Sequence, residues 1–183
     1  LSIRIEHFGP GRLADFDAVH SDANDAGWCR CVAWWVPTWD GWGDRSAAEN
    51  AALRRSLCER GEYDGLLAYD GDEPVGWCQV GRRDRLAKLV RELALEPDPA
   101  VWAVTCFLVP ERRRRQGIAA SLLQGAIARA REARAARLEA YPRSGSGEPG
   151  ALWTGPVDLF RAAGFEVVRV GSPRSVLALE LRG

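Results

Sequence analysis

Val101-Trp102-Ala103-Val104-Thr105-Cys106-Phe107-Leu108-Val109 runs straight into Pro110-Glu111-Arg112-Arg113-Arg114-Arg115-Gln116-Gly117-Ile118-Ala119. The first run is apolar, rich in β-branched and aromatic residues, and too short for a helix, so it reads as a strand. After the second, Leu122, Leu123, Ala126, Ile127, Ala130 and Ala133 recur at steps of three and four, which predicts an amphipathic helix reaching about Arg134. The basic, glycine-containing turn therefore sits at a helix N-terminus. Unpaired backbone N–H groups and the positive end of the helix dipole meet there, and both favour a phosphate. Gly117 lets the backbone approach an anion closely, and the neighbouring arginines add mobile positive charge.

Working outward, Arg114-Arg115-Gln116-Gly117-Ile118-Ala119 resembles the [Arg/Gln]-x-x-Gly-x-[Gly/Ala] signature of the GNAT superfamily, the acyl-CoA-dependent N-acyltransferases. Leu159-Phe160-Arg161-Ala162-Ala163-Gly164-Phe165 is similar to the late helix of that family, which ends in Gly-Phe. The resemblance implies a mixed α/β domain: a central, mostly antiparallel sheet with splayed fourth and fifth strands, flanked by helices. It also implies acetyl-CoA as co-substrate. The CoA pyrophosphate would rest on the amides of Arg114, Arg115, Gln116, Gly117, Ile118 and Ala119. The pantetheine arm would pair with the backbone of Phe107, Leu108 and Val109. The activity so implied is transfer of an acetyl group to an amine, with a small molecule as acceptor.

Composition narrows the remaining classes. The 183 residues suffice for one domain with a full core, and no linker or low-complexity tract divides them, so 1–183 reads as a single domain. Twenty-five basic and 25 acidic residues cancel, which gives no overall argument for a nucleic-acid partner. A nucleic-acid role for Arg112–Arg115 also lacks interleaved aromatics. No apolar run reaches the roughly 18–20 residues that a membrane span requires. No signal-peptide pattern opens the chain, and leucine at position 1 implies processing or trimming. Five cysteines, an odd number without a small-disulfide layout, suit a reducing cytoplasm.

Taken in order, residues 2–6 alternate as a first strand, and Leu13 to Val19 reads as a short helix. Residues 21–45 show no period but hold Trp28, Trp34, Trp35, Trp39 and Trp42. Ser46 with Glu49 three positions on predicts a capped helix to Arg60. Residues 65–69 and 74–80 form a hairpin, and Arg82 to Leu95 has helical spacing. Residues 137–141 make the fifth strand, 142–150 a flexible loop, 157–163 the late helix, and 165–170 with 175–181 an antiparallel pair. The helix at 82–95 and the glycine-rich 143–150 loop lengthen two connections beyond the family's usual layout. Both are expected near the acceptor edge as lids.

Acyl transfer to an amine requires a neutral nucleophile, a donor for the oxyanion and a proton for the departing thiolate. The family's frequent tyrosine in the late helix corresponds to Phe160, which has no proton to give. A strand carboxylate used by some members corresponds to Ala103. Glu139 and Tyr141, two apart on the fifth strand, share a face and are the candidate base and acid; the alternative is a packed tyrosine beside a solvated carboxylate. Trp28, Trp35 and Trp39, with Asp40 and Asp44 nearby, are the candidate acceptor-binding residues, offering flat walls and negative charge to an aromatic or cationic amine. Core or homodimer interface is the competing role for those rings. Cys78 and Cys106 read as small core residues. Cys29-x-Cys31 lacks a second ligand pair, so no metal is expected. His7 and His20 are isolated. Loss of the tyrosine leaves open a non-catalytic acyl-CoA sensor or partner-binding module.

Overall fold

The computed structural model describes residues 2–22, 27–143 and 153–181. Its strands are β1 (Ile3–His7), β2 (Leu66–Asp70), β3 (Glu73–Arg82), β4 (Val101–Leu108), β5 (Arg137–Ala140), β6 (Glu166–Arg169) and β7 (Val176–Glu180). Its helices are α1 (Leu13–Asp22), α2 (Ala47–Glu59), α3 (Ala87–Glu92), α4 (Ile118–Glu132) and α5 (Val157–Ala162). The sheet runs in the order β1-β2-β3-β4-β5-β7-β6. Every neighbouring pair is antiparallel except β4 and β5. A parallel pair needs a crossover on one face of the sheet, and α4 supplies it.

β4 and β5 pair only from Val101↔Arg137 to Val104↔Ala140, while β4 continues to Leu108. The second half of β4 therefore has no β5 partner, which opens a wedge in the sheet. A register shift on the β3 side, between Gln79 and Val80, bends the same part of the strand.

The local rules read from the sequence account for most boundaries. Ser46 and Glu49 exchange hydrogen bonds with each other's backbone, closing a capping box at the start of α2. The predicted stripe of α4 is buried at Leu122, Leu123, Ala126, Ile127 and Ala130, with Ile118 added at its start. Ala133, expected as its last member, is instead the exposed residue that caps the helix.

The expected helix over 82–95 is shorter than its pattern. β3 continues through Arg82, which pairs with Trp102 of β4, and a 3-10 turn at Arg83–Arg85 follows. Only then does α3 begin, burying Lys88 and Leu89. Strand pairing takes the residues that the periodicity assigned to the first helical turn. The glycine-rich loop expected at 143–150 falls, apart from Arg143, outside the described residues.

One core lies between α4, α5 and the sheet, including Leu66, Val104, Leu122, Leu138 and Phe160. A second lies on the other face, where Phe16 of α1, Leu57 of α2, Tyr63 and Trp77 meet Cys31 and Val32 of the tryptophan-rich segment. A third, smaller cluster joins Trp34, Leu86, Leu89, Ala103, Tyr141 and Val176. The insertion carrying α3 thus packs onto the sheet beside the wedge.

Candidate active site

The turn after β4 is built as a cradle. Arg112 and Arg113 are held by ion pairs: both pair with Glu73, and Arg113 also with Asp70 at 3.1 Å, which ties the turn to the β2–β3 hairpin. Arg114 donates through Nε to the Val109 carbonyl at 3.2 Å, and Gln116 donates to the Arg112 carbonyl at 3.2 Å. Arg115 has φ of 58° and Gly117 φ of 80°, both left-handed. At Gly117, the N-cap of α4, a side chain would be strained, although no atom would obstruct it. Residues 114–117 are exposed, so the first amides of a 15-residue helix face solvent at this point. These residues fit a pyrophosphate.

Beside the wedge lies a cavity of about 510 Å³. That size suits a small organic substrate. Trp28, Trp34, Trp39, Trp42 and Trp153 form its aromatic walls; Cys106, Phe107 and Leu108 of β4 form one side. Glu92 and Leu93 at the end of α3, with Arg143, Pro173 and Arg174, complete it. The α3 insertion therefore contributes to a wall of the cavity.

Of the three tryptophans singled out from sequence, Trp28 and Trp39 line this cavity and Trp35 does not. Trp35 instead packs against Tyr63, with ring centroids 5.3 Å apart. Its neighbour Trp34 takes the cavity position, edge-on to Trp39 at 5.3 Å and tilted against Trp153 at 5.8 Å. No period marked residues 21–45, so adjacent tryptophans could not be assigned to opposite sides. Asp40 and Asp44 are exposed and do not line the cavity.

The ring faces are already occupied by the chain's own cations. Lys88 Nζ lies 3.3 Å from the Trp39 ring centroid and within 6 Å of Trp34 and Trp42 (5.9 and 5.6 Å). The Arg174 guanidinium stands 5.5 Å from the Trp34 centroid and 5.0 Å from that of Trp153. Burial pushes Lys88 down to about 8. Burial, with Arg143 adding to it, lowers Arg174 to about 10. The sequence signal for Lys88 was slight: it is the only lysine, and it sits on a helix among leucines.

Glu139 and Tyr141 are brought together as their spacing predicted, the tyrosine hydroxyl donating to Glu139 Oε2 at 2.8 Å. Both are buried, and neither lines the cavity. Glu139 also accepts from Arg83 at 2.8 Å and pairs with Arg137 at 2.8 Å. The carboxylate was expected to be solvated if not catalytic, and it is neither solvated nor open to the cavity. Burial and the adjacent carboxylate raise the tyrosine well above its ordinary value.

Phe160 is fully buried between Phe107 and Phe165, at centroid distances of 6.1 and 5.5 Å. Ala103 is buried in the third cluster. The backbone expected to receive the pantetheine arm is partly engaged. The Phe107 amide donates to the Trp153 carbonyl at 2.6 Å, and Leu108 pairs with Trp77 of β3. Gly155, at φ of 84°, allows this close approach, since a Cβ there would lie 2.9 Å from the Phe160 ring.

Cys106 is buried and also faces Cys31 across the cavity wall, their sulfurs 3.2 Å apart. His20 Nε2 lies 3.3 Å from the Cys31 sulfur, and its Nδ1 meets the Phe16 carbonyl at 2.8 Å. Burial lowers His20 to about 3, so the imidazole is neutral. Cys29 is lowered to about 7, chiefly by the Cys31 thiol. Among the described residues no group of three or more His, Cys, Asp or Glu side chains is placed to hold a metal ion. No helix among them is long and apolar enough to cross a membrane.

Comparison with solved structures places this architecture among N-acetyltransferases. An N-acetyltransferase from Staphylococcus aureus Mu50 superposes with a TM-score of 0.62 at 17% identity, covering 100% of both chains. A putative GNAT-family acetyltransferase from Desulfovibrio desulfuricans gives 0.62 at 14% identity, over 99% of this chain and 100% of that one. A putative acetyltransferase from Salmonella typhimurium, solved with its cofactor acetyl-CoA, gives 0.60 at 17% identity over 100% of this chain and 95% of the other. At such identities the likeness is one of fold. No curated protein matches the chain. The sequence model of the acetyltransferase (GNAT) family matches residues 28–146, spanning the tryptophan-rich segment, the wedge strand, the glycine turn and α4. The chain is an enzyme of the GNAT acetyltransferase family.

Proposed function

We propose that the protein transfers an acetyl group from acetyl-CoA to the amine of a small molecule held in the tryptophan-walled cavity. The carrying observation is adjacency: β4 forms the cavity wall at Cys106–Leu108 and then runs directly into the turn whose amides face solvent. A donor anchored by its pyrophosphate at Arg114–Ala119 would extend along β4 toward the cavity. Its thioester carbon would then meet an amine bound among the rings. The Trp153 carbonyl would give up the Phe107 amide as the pantetheine arm arrives.

In the reaction the neutral amine attacks the thioester carbonyl, the C–N bond forms and the C–S bond breaks. The amine proton passes to solvent, and the thiolate leaves. A free alkylamine has pKa ~10.4. Within an apolar cavity, beside Lys88 and Arg174, the ammonium form is disfavoured by both desolvation and like charge. The cavity thus favours the reactive neutral amine without a dedicated carboxylate. Thiolate departure needs little assistance, because a thiol of pKa ~8.5 is a fair leaving group near neutral pH. Glu139 and Tyr141 serve on this reading to hold Arg83 and Arg137, and the main catalytic contribution is positioning.

Thiol release from acetyl-CoA, followed with a panel of amines, tests the activity. Gly117→Glu puts a carboxylate where the pyrophosphate would lie, so calorimetry should find CoA binding abolished in a folded variant. Unchanged CoA affinity in that variant would remove the turn from the donor site.

A further inference from the structure

We propose that the acceptor amine also carries a carboxylate, so that the cavity takes an amino acid or a similar amino-carboxylate on an apolar or aromatic frame. This rests on the acetyltransferase reading and names the substrate class of its acceptor site.

The cavity is rich in donors and poor in acceptors. Arg174 is 8% exposed, and both its hydrogen bonds go to neutral oxygens, the Tyr141 carbonyl and the Thr154 hydroxyl, each at 3.0 Å. Lys88, 1% exposed, stands behind the wall against the face of the lining residue Trp39, and its hydrogen bond among the described residues goes to the Thr38 carbonyl at 3.5 Å. Among the described residues no carboxylate forms an ion pair with either cation. Arg143 is bridged through its backbone to Arg174, so a third positive group stands at the same wall. Burial lowers both cations; for Lys88 the charge of Glu92 opposes the shift without cancelling it, and for Arg174 the neighbouring Arg143 adds to it.

Two buried N–H groups of wall residues, Gln79 Nε2 and Trp34 Nε1, also have no hydrogen-bond partner among the described residues. Buried donors without partners are costly in a folded protein, which gives a reason to look for the missing acceptor in a ligand. Among the described residues Glu92 is the only carboxylate on the wall; it is exposed and lies 3.3 Å from Arg91.

A carboxylate is acceptor-only and negatively charged, and arginine can bind it through two parallel N–H groups. It would compensate the cations and leave the apolar body of the acceptor against the rings. A purely cationic amine has no such place, since Lys88 and Arg174 already cover the faces of Trp39, Trp34 and Trp153.

The test begins with binding alone, without acetyl-CoA. Intrinsic tryptophan fluorescence follows titration with 3-phenylpropanoate, its amide and 3-phenylpropylamine, which share a frame and differ in charge. The carboxylate should bind at least tenfold more tightly than the other two. Arg143→Ala, at an exposed position, and Arg174→Lys should each reduce that preference severalfold while circular dichroism remains unchanged. Equal affinities, or tightest binding of the amine, would overturn the proposal. Saturating CoA should leave carboxylate binding in place; competitive displacement would assign the cations to the cofactor's phosphates and also overturn it. Thiol release is then compared for phenylalanine and phenylalaninamide. Faster turnover of the amide would count against the proposal, whereas absence of CoA binding in the native protein would count against the acetyltransferase reading itself.

Discussion

Two buried arginine clusters lie on either side of Tyr141, and they are completed in opposite ways. On one side, Glu139 accepts from Arg83 and Tyr141 and pairs with Arg137, so a carboxylate within the chain balances the buried charge. On the other, Arg174 binds the Tyr141 backbone carbonyl and a threonine hydroxyl, with no carboxylate paired to it among the described residues. The first cluster is closed and does not line the cavity; Arg174 of the second does. Where arginine serves the fold, the chain has provided its partner. Where that partner is missing and a cavity adjoins, a ligand can supply it.

Breaking the closed cluster should have the largest effect. Glu139→Ala leaves Arg83 buried without its carboxylate, and loss of one partner of a buried pair typically costs about 3–5 kcal/mol. Urea denaturation should show that loss. A variant as stable as the native protein would mean that the two clusters do not differ in the manner described.

The cavity wall gives the next effect. Trp39→Ala removes a ring that is 38% exposed and covered by Lys88, so the fold should survive. The acceptor KM should rise roughly tenfold, within the range that one aromatic contact contributes, while CoA affinity holds. Trp35→Ala should instead lower the unfolding midpoint, because that ring packs against Tyr63 away from the cavity. Equal effects of the two substitutions on KM would erase the distinction between wall and core.

Tyr141→Phe sharpens the comparison at its shared residue. Removing the hydroxyl deletes one hydrogen bond to Glu139 and should cost about 1–2 kcal/mol of stability, with kcat nearly unchanged. A loss of ~10²–10⁴-fold in kcat would return the hydroxyl to proton transfer.

The smallest effect concerns pH. Folding lowers Lys88 from its ordinary 10.5 to about 8. Between those values the unfolded chain holds a proton that the folded chain has released, so stability rises with pH across that window. Lys88→Met fills similar space without charge. The variant should be more stable than the native protein near pH 7, and the gap should close as pH approaches 10.5. The same substitution should weaken carboxylate binding, separating stability from function at one residue.

Much of the frame was legible because local chemistry dictated it. Ser46 and Glu49 announced a helix start and formed one. The spacing after Gly117 announced α4, and only Ala133 at its end was misplaced. The helix at 82–95 was overdrawn, since the pattern could not reveal that Arg82 would be claimed by Trp102 across the sheet. The cavity was legible only as a concentration of tryptophan. Which of two adjacent rings faced inward depended on turns with no period, and Trp34 took the place expected of Trp35.

The sequence by itself determined the strand, glycine turn and helix, because hydrophobic period, capping and backbone conformation act between residues close in the chain. It also determined that Glu139 and Tyr141 share a face, since a strand alternates. Only the tertiary structure decided that this face is closed by Arg83, and that Lys88 and Arg174 stand against the faces of the cavity's tryptophans. Those placements join Arg83 to Glu139 across 56 positions, Lys88 to Trp39 across 49 and Arg174 to Trp34 across 140. Distances of that kind are fixed by which surfaces pack together, and local period carries no information about them.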